Sequence, residues 1–526
     1  MIVETIKFEF TDAVRRQLEG RGMSEEDIRK QLLWFQQGMP PIKLQRACTE
    51  GDGIRKIAPE DHTSLLTEQV QAADKGRFLK FVPASGAATR MFKPLSAMAA
   101  RFESLFPHDL EANARRGDSD AKFMLQFINN VTRFAFYPEF AEVVAKNGHN
   151  ISVVKSNGDL KLLLELLLTP RGLNLSSQPK ALIPFHAYSD HIRTPIEEHL
   201  VEALAYASDV DGNARIHFTV QDERLEPFHR EIELRRRSLE NDNCRLQVEY
   251  SRQRASTETI ALDLDSNPAV DAQGRLTFRP AGHGALLKNL AGLAADLVYI
   301  KNIDNVAMER LLPATVYHKR LLGGLLVKLQ SQQHRILTRL ESDRQDSEAI
   351  REGESLIRDK FQFELPSEWN NWHPMIKGEF IYQRLNRPLR VCGMVPNRDE
   401  PGGGPFWILG KDKIISPQIV EMTQIDHSDS AQEAIVQTAT HFNPVDLVCG
   451  VRDHHGHSYD LDRYCDWTTG QITEKSWQGR PVKAMERPGL WNGSMAFWNT
   501  VFVEVPISTF NPVKTVNDLL RPEHQL

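Results

Sequence analysis

The run Phe78-Leu79-Lys80-Phe81-Val82, stopped by Pro83, constrains this chain most. A short apolar run closed by proline reads as a strand buried on both faces. Similar runs recur downstream, with candidate strands at 182–185, 216–220, 246–250 and 297–303. Helical stretches separate them at about 195–207, 223–239 and 284–293. Thr194-Pro195-Ile196-Glu197 reads as a helix start, with Thr194 as cap, Pro195 in the first turn and Glu197 closing a capping box. Strands alternating with helices predict an α/β fold with a mixed, mostly parallel sheet. Ligands of such sheets bind at the carboxyl ends of the strands.

Four parts are expected around this core. Residues 1–75 read as an N-terminal helical segment, with Ser24-Glu25-Glu26-Asp27 as a helix start. An α/β core spans 76–314 and carries a helical insertion at about 95–150. Residues 315–365 read as a helical connector, packing on the sheet as a solvated pair. Residues 363–386, with Trp369, Trp372 and two prolines, read as irregular. Residues 366–526 are β-rich, with candidate strands at 389–395, 418–424, 445–451 and 497–505, and complete the core.

Composition narrows the function. A chain of 526 residues exceeds one ordinary domain. Sixty-four basic residues against 70 acidic ones give a net charge of -6 with no basic stripe, which argues against nucleic acid as partner. Cys48, Cys244, Cys392, Cys449 and Cys465 are odd in number, scattered and without a Cys-x-x-Cys pair. They support neither a disulfide framework nor a zinc cage, and a reducing, cytoplasmic location is expected. MIVETIKFEF is not a secretory signal. The most apolar stretch, 162–168, is short and carries Glu165, so no membrane partner is expected. Nothing in the sequence fixes an oligomeric state.

Four short motifs carry the chemistry. Ser85-Gly86-Ala87-Ala88-Thr89-Arg90 follows the first strand, and small residues there let backbone N–H groups approach phosphate oxygens. Arg90 adds a planar fork for a phosphate. Lys180, in Pro179-Lys180-Ala181-Leu182-Ile183-Pro184, precedes an apolar run and reads either as a strand-edge surface lysine or as a charge-neutralising ammonium. His283, in Gly282-His283-Gly284, reads equally as a turn residue or as a donor to a ligand. Asp304 ends an apolar strand, where one carboxylate with substrate phosphates suits Mg²⁺, or it caps the next helix.

Taken in order, these segments resemble glycosyl-1-phosphate nucleotidyltransferases of the pyrophosphorylase type. Those enzymes carry a small-residue loop ending in Gly-x-x-Thr-Arg, then Pro-Lys before an apolar run. In the UDP-sugar and UDP-N-acetylglucosamine branch, a Gly-His-Gly turn and a strand ending in Asp-Asn follow. Gly86 to Met91, Pro179 to Pro184, Gly282 to Gly284 and Asp304-Asn305 resemble these. Over nearly its full length the chain more closely resembles an uncharacterised bacterial family known as a domain of unknown function (4301 in that series), on 256–261, 278–306 and 488–520. Two departures stand out. Residues 91–178 separate the Thr-Arg from the Pro-Lys, which are near neighbours in the better-known enzymes, and Ala285 follows the Gly-His-Gly where an acidic residue is common.

The resemblance implies transfer of a nucleotidyl group from a nucleoside triphosphate, UTP by first choice, to a phosphorylated sugar-like acceptor, with Mg²⁺ as cofactor. Ser85, Gly86, Ala87, Ala88, Thr89 and Arg90 would cradle the triphosphate, Gln253 and Gly282 contact the base, and His283 sit near the base or the acceptor phosphate. Lys180 and Lys514 would be phosphate-neutralising lysines, with Lys93 a competitor for Lys180, and Asp304 the Mg²⁺ ligand. Gly403, in the turn Gly402-Gly403-Gly404, Glu421, Asn492 and Gly493 would hold the acceptor. Two alternatives are a non-catalytic nucleotide sensor and a metal-dependent hydrolase centred on Asp453-His454-His455-Gly456-His457, a cluster that reads equally as an exposed hairpin tip.

Overall fold

The structure is a computed structural model that describes residues 8–220, 225–397, 402–410, 414–477 and 479–526. Nine strands form its central sheet: β1 (Thr49–Glu50), β2 (Gly53–Arg55), β3 (Phe78–Pro83), β4 (Asn213–Val220), β5 (Arg245–Arg252), β6 (Leu297–Lys301), β7 (Leu389–Pro396), β8 (His441–Gly450) and β9 (Asn499–Glu504). Their order across the sheet is β1-β2-β9-β7-β8-β6-β3-β4-β5. All neighbours are parallel except β8, which runs against both β6 and β7. The α/β class with a mostly parallel sheet is therefore as expected.

The reversed strand positions the site. Lys301, the last residue of β6, faces Asp446, so 441–445 reach beyond the carboxyl end of β6. Every residue of β8 is buried, in keeping with a strand covered on both faces. One cover is a 31-residue helix, Leu312–Ser342, lying beside Pro59–Asp74. A Cβ on its Gly323 would come 2.0 Å from the Tyr299 hydroxyl, and one on Gly324 would come 1.9 Å from the Leu65 carbonyl oxygen. Only glycines let this helix cross its neighbours so closely.

Several local readings need correction. Residues 44–55 hold three short strands rather than helix, and two of them extend the central sheet while Leu44–Ala47 joins a separate three-stranded one. Residues 182–185 are not a strand; Lys180–Leu182 form a 3₁₀ turn whose backbone is held by the preceding loop. Thr194 caps no N–H, because its hydroxyl donates to Glu231. Glu197 instead faces Arg193 and Arg235. Helices continue past 150, through Ile151–Asn157 and Leu160–Leu168, and pack a core of their own with those between Lys93 and Lys146. A helix, Pro374–Leu385, occupies part of the stretch read as irregular. The helix expected from 223 begins at Leu225 within the described residues, and 223–224 lie outside them.

The sheet also buries an ionic network. Lys80 of β3 and Lys301 of β6 both pair with Glu202, at 2.8 and 2.6 Å, and Lys319 pairs with Asp446 of β8. All five side chains are nearly sealed from solvent. Burial, only partly offset by Glu202, lowers the Lys80 ammonium to about 7. His199 lies against the same network, and its Nε2 is 3.2 and 3.3 Å from the carbonyl oxygens of Asn302 and Ile303. The network thereby braces the turn that presents Asp304.

Candidate active site

Two cavities meet at the carboxyl edge of the sheet. The larger, about 750 Å³, opens beyond β3 and is lined by Ser85, Gly86, Ala87, Thr89, Lys180, Gln253 and Gly282. The smaller, about 470 Å³, lies toward the C-terminal part and is lined by Gly403, Glu421, Gln424, Asn443, Arg487 and Asn492. Arg90, His283, Asn302, Asp304, Trp491 and Lys514 line both. Of the residues expected to hold a nucleotide, all but Ala88 line the larger chamber; of those expected to hold an acceptor, all but Gly493 line the smaller; and Asp304 stands at the seam.

Backbone hydrogen bonds fuse the first two motifs. The Lys180 N–H donates to the Gly86 carbonyl at 3.2 Å, and the Ala88 N–H donates to the Gln178 carbonyl at 3.0 Å. This pairing brings the lysine to the loop although 91–178 fold into the helical insertion between them. A Cβ on Gly86 would meet nothing, which leaves its backbone open to the larger cavity. Ala88 needs a correction: its side chain is buried and its N–H is occupied, so it is not available to a phosphate. Lys93 starts the helix Lys93–Arg101 and lines neither cavity.

At the seam, Lys180 Nζ lies 2.8 Å and Lys514 Nζ 4.0 Å from Asp304 Oδ2. Burial opposes ionisation of Asp304, but the two ammonium groups outweigh it and hold the carboxyl below its ordinary range. Asp304 starts no helix, so the capping alternative falls away. Arg90 is exposed at the mouth of both cavities. Two ammonium groups thus flank one carboxylate, and Arg90 lines the same two cavities, a setting that suits a ligand carrying several negative charges.

A chain of contacts links the two chambers. His283 Nδ1 accepts from the Leu490 N–H at 2.9 Å, so the neutral ring carries its proton on Nε2. Burial lowers this imidazole to about 4. The ring stacks on Trp491 at 4.1 Å, and the Trp491 indole donates to Glu421 Oε1 at 3.2 Å. Burial raises Glu421, opposed by Trp491 and Lys514. Asn492 Nδ2 donates to Gln424 Oε1, which also accepts from the Glu421 N–H. Gly493 does not line the cavity: a Cβ there would come 1.9 Å from Thr469 Oγ1, so its role is close packing.

Some lining residues were not singled out as ligand contacts. Asn443 and Val445, at the start of β8, line the smaller cavity. Val445 has φ of +56°, a strained conformation for a β-branched residue, and its N–H donates to Asn443 Oδ1. The cluster His441-Phe442-Asn443-Pro444 is visible in sequence as polar, but the strand reversal that aims it is not. Gln424 and Arg487 carry no local signal.

A family model described as "Domain of unknown function (DUF4301)" matches residues 11–525. No curated protein matches the sequence significantly. Among solved structures, the chain is similar to uridine diphosphate N-acetylglucosamine pyrophosphorylase from Trypanosoma brucei, at 14% identity and a TM-score of 0.49, covering 97% of this chain and 79% of that one. It is also similar to UDP-glucose pyrophosphorylase from Leishmania major, at 12% identity and a TM-score of 0.43, covering 97% and 77%.

Proposed function

The chain belongs to the family described as DUF4301, and we propose that it transfers a nucleotidyl group from a nucleoside triphosphate to a phosphorylated, sugar-like acceptor. One observation carries this reading: two chambers of a size for two substrates share a wall that holds the ionised Asp304, Arg90 and Lys514, with Lys180 paired to Asp304 from the larger chamber. A nucleotide in the larger chamber and an acceptor in the smaller would bring their phosphates together at Asp304. An acceptor phosphate oxygen attacks the α-phosphorus, the bond to the bridging oxygen breaks, and pyrophosphate leaves with that electron pair.

Arg90, Lys180 and Lys514 neutralise charge on the phosphates, and the loop 85–87 supplies backbone donors. His283, neutral above about pH 4, offers Nε2–H to a phosphate or a base. Asp304 fits Mg²⁺ by its donor chemistry, because Mg²⁺ is commonly held by one or two carboxylates together with substrate phosphates. Bound there, the ion would supply Lewis-acid neutralisation of the phosphate charge. UTP is the first nucleotide to try, from the motif resemblance.

The test is release of pyrophosphate from each of the four NTPs with Mg²⁺ and a panel of sugar-1-phosphates and other phosphorylated alcohols. Acceptor-dependent release with one NTP, lost in Lys180→Ala and Asp304→Ala, is expected. Absence of release, with saturable NTP binding that survives Lys180→Ala, would overturn the transfer reading in favour of a nucleotide sensor.

A further inference from the structure

At the opposite edge of the sheet, three side chains from distant parts of the sequence converge. Glu341 lies in the last turn of the helix Leu312–Ser342, while His454 and His455 occupy the turn after β8. Nε2 of His454 lies 3.1 Å from Glu341 Oε2, and Nε2 of His455 lies 3.1 Å from the same oxygen. The possible ligand atoms of all three lie within 4.8 Å of one another. Two imidazole nitrogens and a carboxylate oxygen are a common ligand set for zinc, with bonds of about 2.0–2.2 Å. Tetrahedral ligands at that radius stand about 3.3 Å apart. The 3.1 Å separations from the carboxylate oxygen to each imidazole are close to this, so little movement of the two histidines would admit an ion.

The turn is held in shape before any ion arrives. Asp453 Oδ1 accepts from the N–H groups of His455 and His457, at 2.9 and 2.8 Å. The His454 side chain is only 3% exposed, and the Tyr382 hydroxyl donates to Glu341 at 3.4 Å. His457 points elsewhere, with its side chain 80% exposed. His455 and Glu341 are both partly open, so an ion can enter and a fourth coordination position faces solvent.

We propose that Glu341, His454 and His455 form a site for a divalent transition metal, zinc by donor chemistry, which clamps the long helix to the turn after β8. Each histidine gives up the proton on Nε2 and takes one on Nδ1, so no net charge is lost. None of the three residues lines the two cavities at the seam. The ten residues of β8 put about 30 Å between the two edges. The clamp therefore acts on stability, and it stands or falls independently of the transfer reaction.

Full-length protein, freed of metal by chelation and dialysis, is titrated with Zn²⁺ against a chromophoric chelator. Wild type is expected to bind one equivalent with a raised Tm. His455→Ala and Glu341→Gln are expected to weaken binding about tenfold or more and abolish the Tm rise. His457→Ala is expected to match wild type, and Asp304→Ala to keep the zinc-dependent rise in Tm from its own starting value. Binding that is no tighter in wild type than in both ligand variants, or that His457→Ala weakens as much, would overturn the site.

Discussion

Lys180 and Asp304, 124 residues apart in the chain, form a 2.8 Å ion pair where the two cavities meet. Lys180→Ala should leave Asp304 with only the more distant Lys514. Nucleotidyl transfer is expected to fall by about 10²–10³ in kcat, the range for losing one positioned charge donor. Lys93→Ala, outside both cavities, is expected to keep wild-type kcat. Steady-state kinetics on the two variants decides which lysine serves the reaction.

The neutral state of His283 shapes the acid limb of stability. Its folded value near 4 lies below the ordinary value of 6.5, so between these pH values the unfolded chain binds a proton that the folded ring refuses. Stability contributed by this group is complete above about 6.5 and is lost as pH falls toward about 4. The slope is at most on the order of 1 kcal/mol per pH unit. Urea titrations at pH 7 and pH 5 are expected to show a smaller acid loss for His283→Gln than for wild type.

Two glycines should respond oppositely to alanine. Gly86→Ala meets open space and is expected to leave stability within about 0.5 kcal/mol, while weakening NTP binding by narrowing the approach to the loop. Gly284→Ala would put its methyl 2.0 Å from the Pro488 carbonyl oxygen. It is expected to cost about 1–3 kcal/mol. Chemical denaturation and equilibrium NTP binding on both variants separate the two effects.

Glu202 is the shared counter-ion of two buried lysines. Glu202→Ala strands both charges and is expected to destabilise the fold by about 3–5 kcal/mol. Lys80→Met leaves Glu202 paired with Lys301 and is expected to cost far less. Denaturation midpoints of the two variants check the asymmetry.

Much of the sheet was legible because strands buried on both faces write themselves as near-continuous apolar runs, as at Phe78–Pro83, broken only by Lys80, and at Leu297–Lys301, ending in a lysine. The loop at Gly86 and the acid at Asp304 were legible because each sits just past such a run. The partnership of Lys180 with the loop was not, since it rests on backbone bonds across a helical insertion. Residues 182–185 have the composition of a strand, but Pro184 and the 3₁₀ turn before it remove them from the ladder. Nor could periodicity show that β8 runs backwards, which brings Asn443 and Val445 to the cavity. Glu341 is one charged residue among many on its helix, and only the fold sets it against His454 and His455.

The pairing of β2 with β9 sets a schedule for synthesis. Ile54 finds its partner in Phe502, and until that residue leaves the ribosome the β1-β2 pair has nothing to join it to the rest of the sheet. At about 5–20 residues per second the wait is on the order of 20–90 s. Lys514, which completes the seam, emerges later still. A nascent chain stalled before Asn499 would present an unfinished sheet and half a reaction chamber.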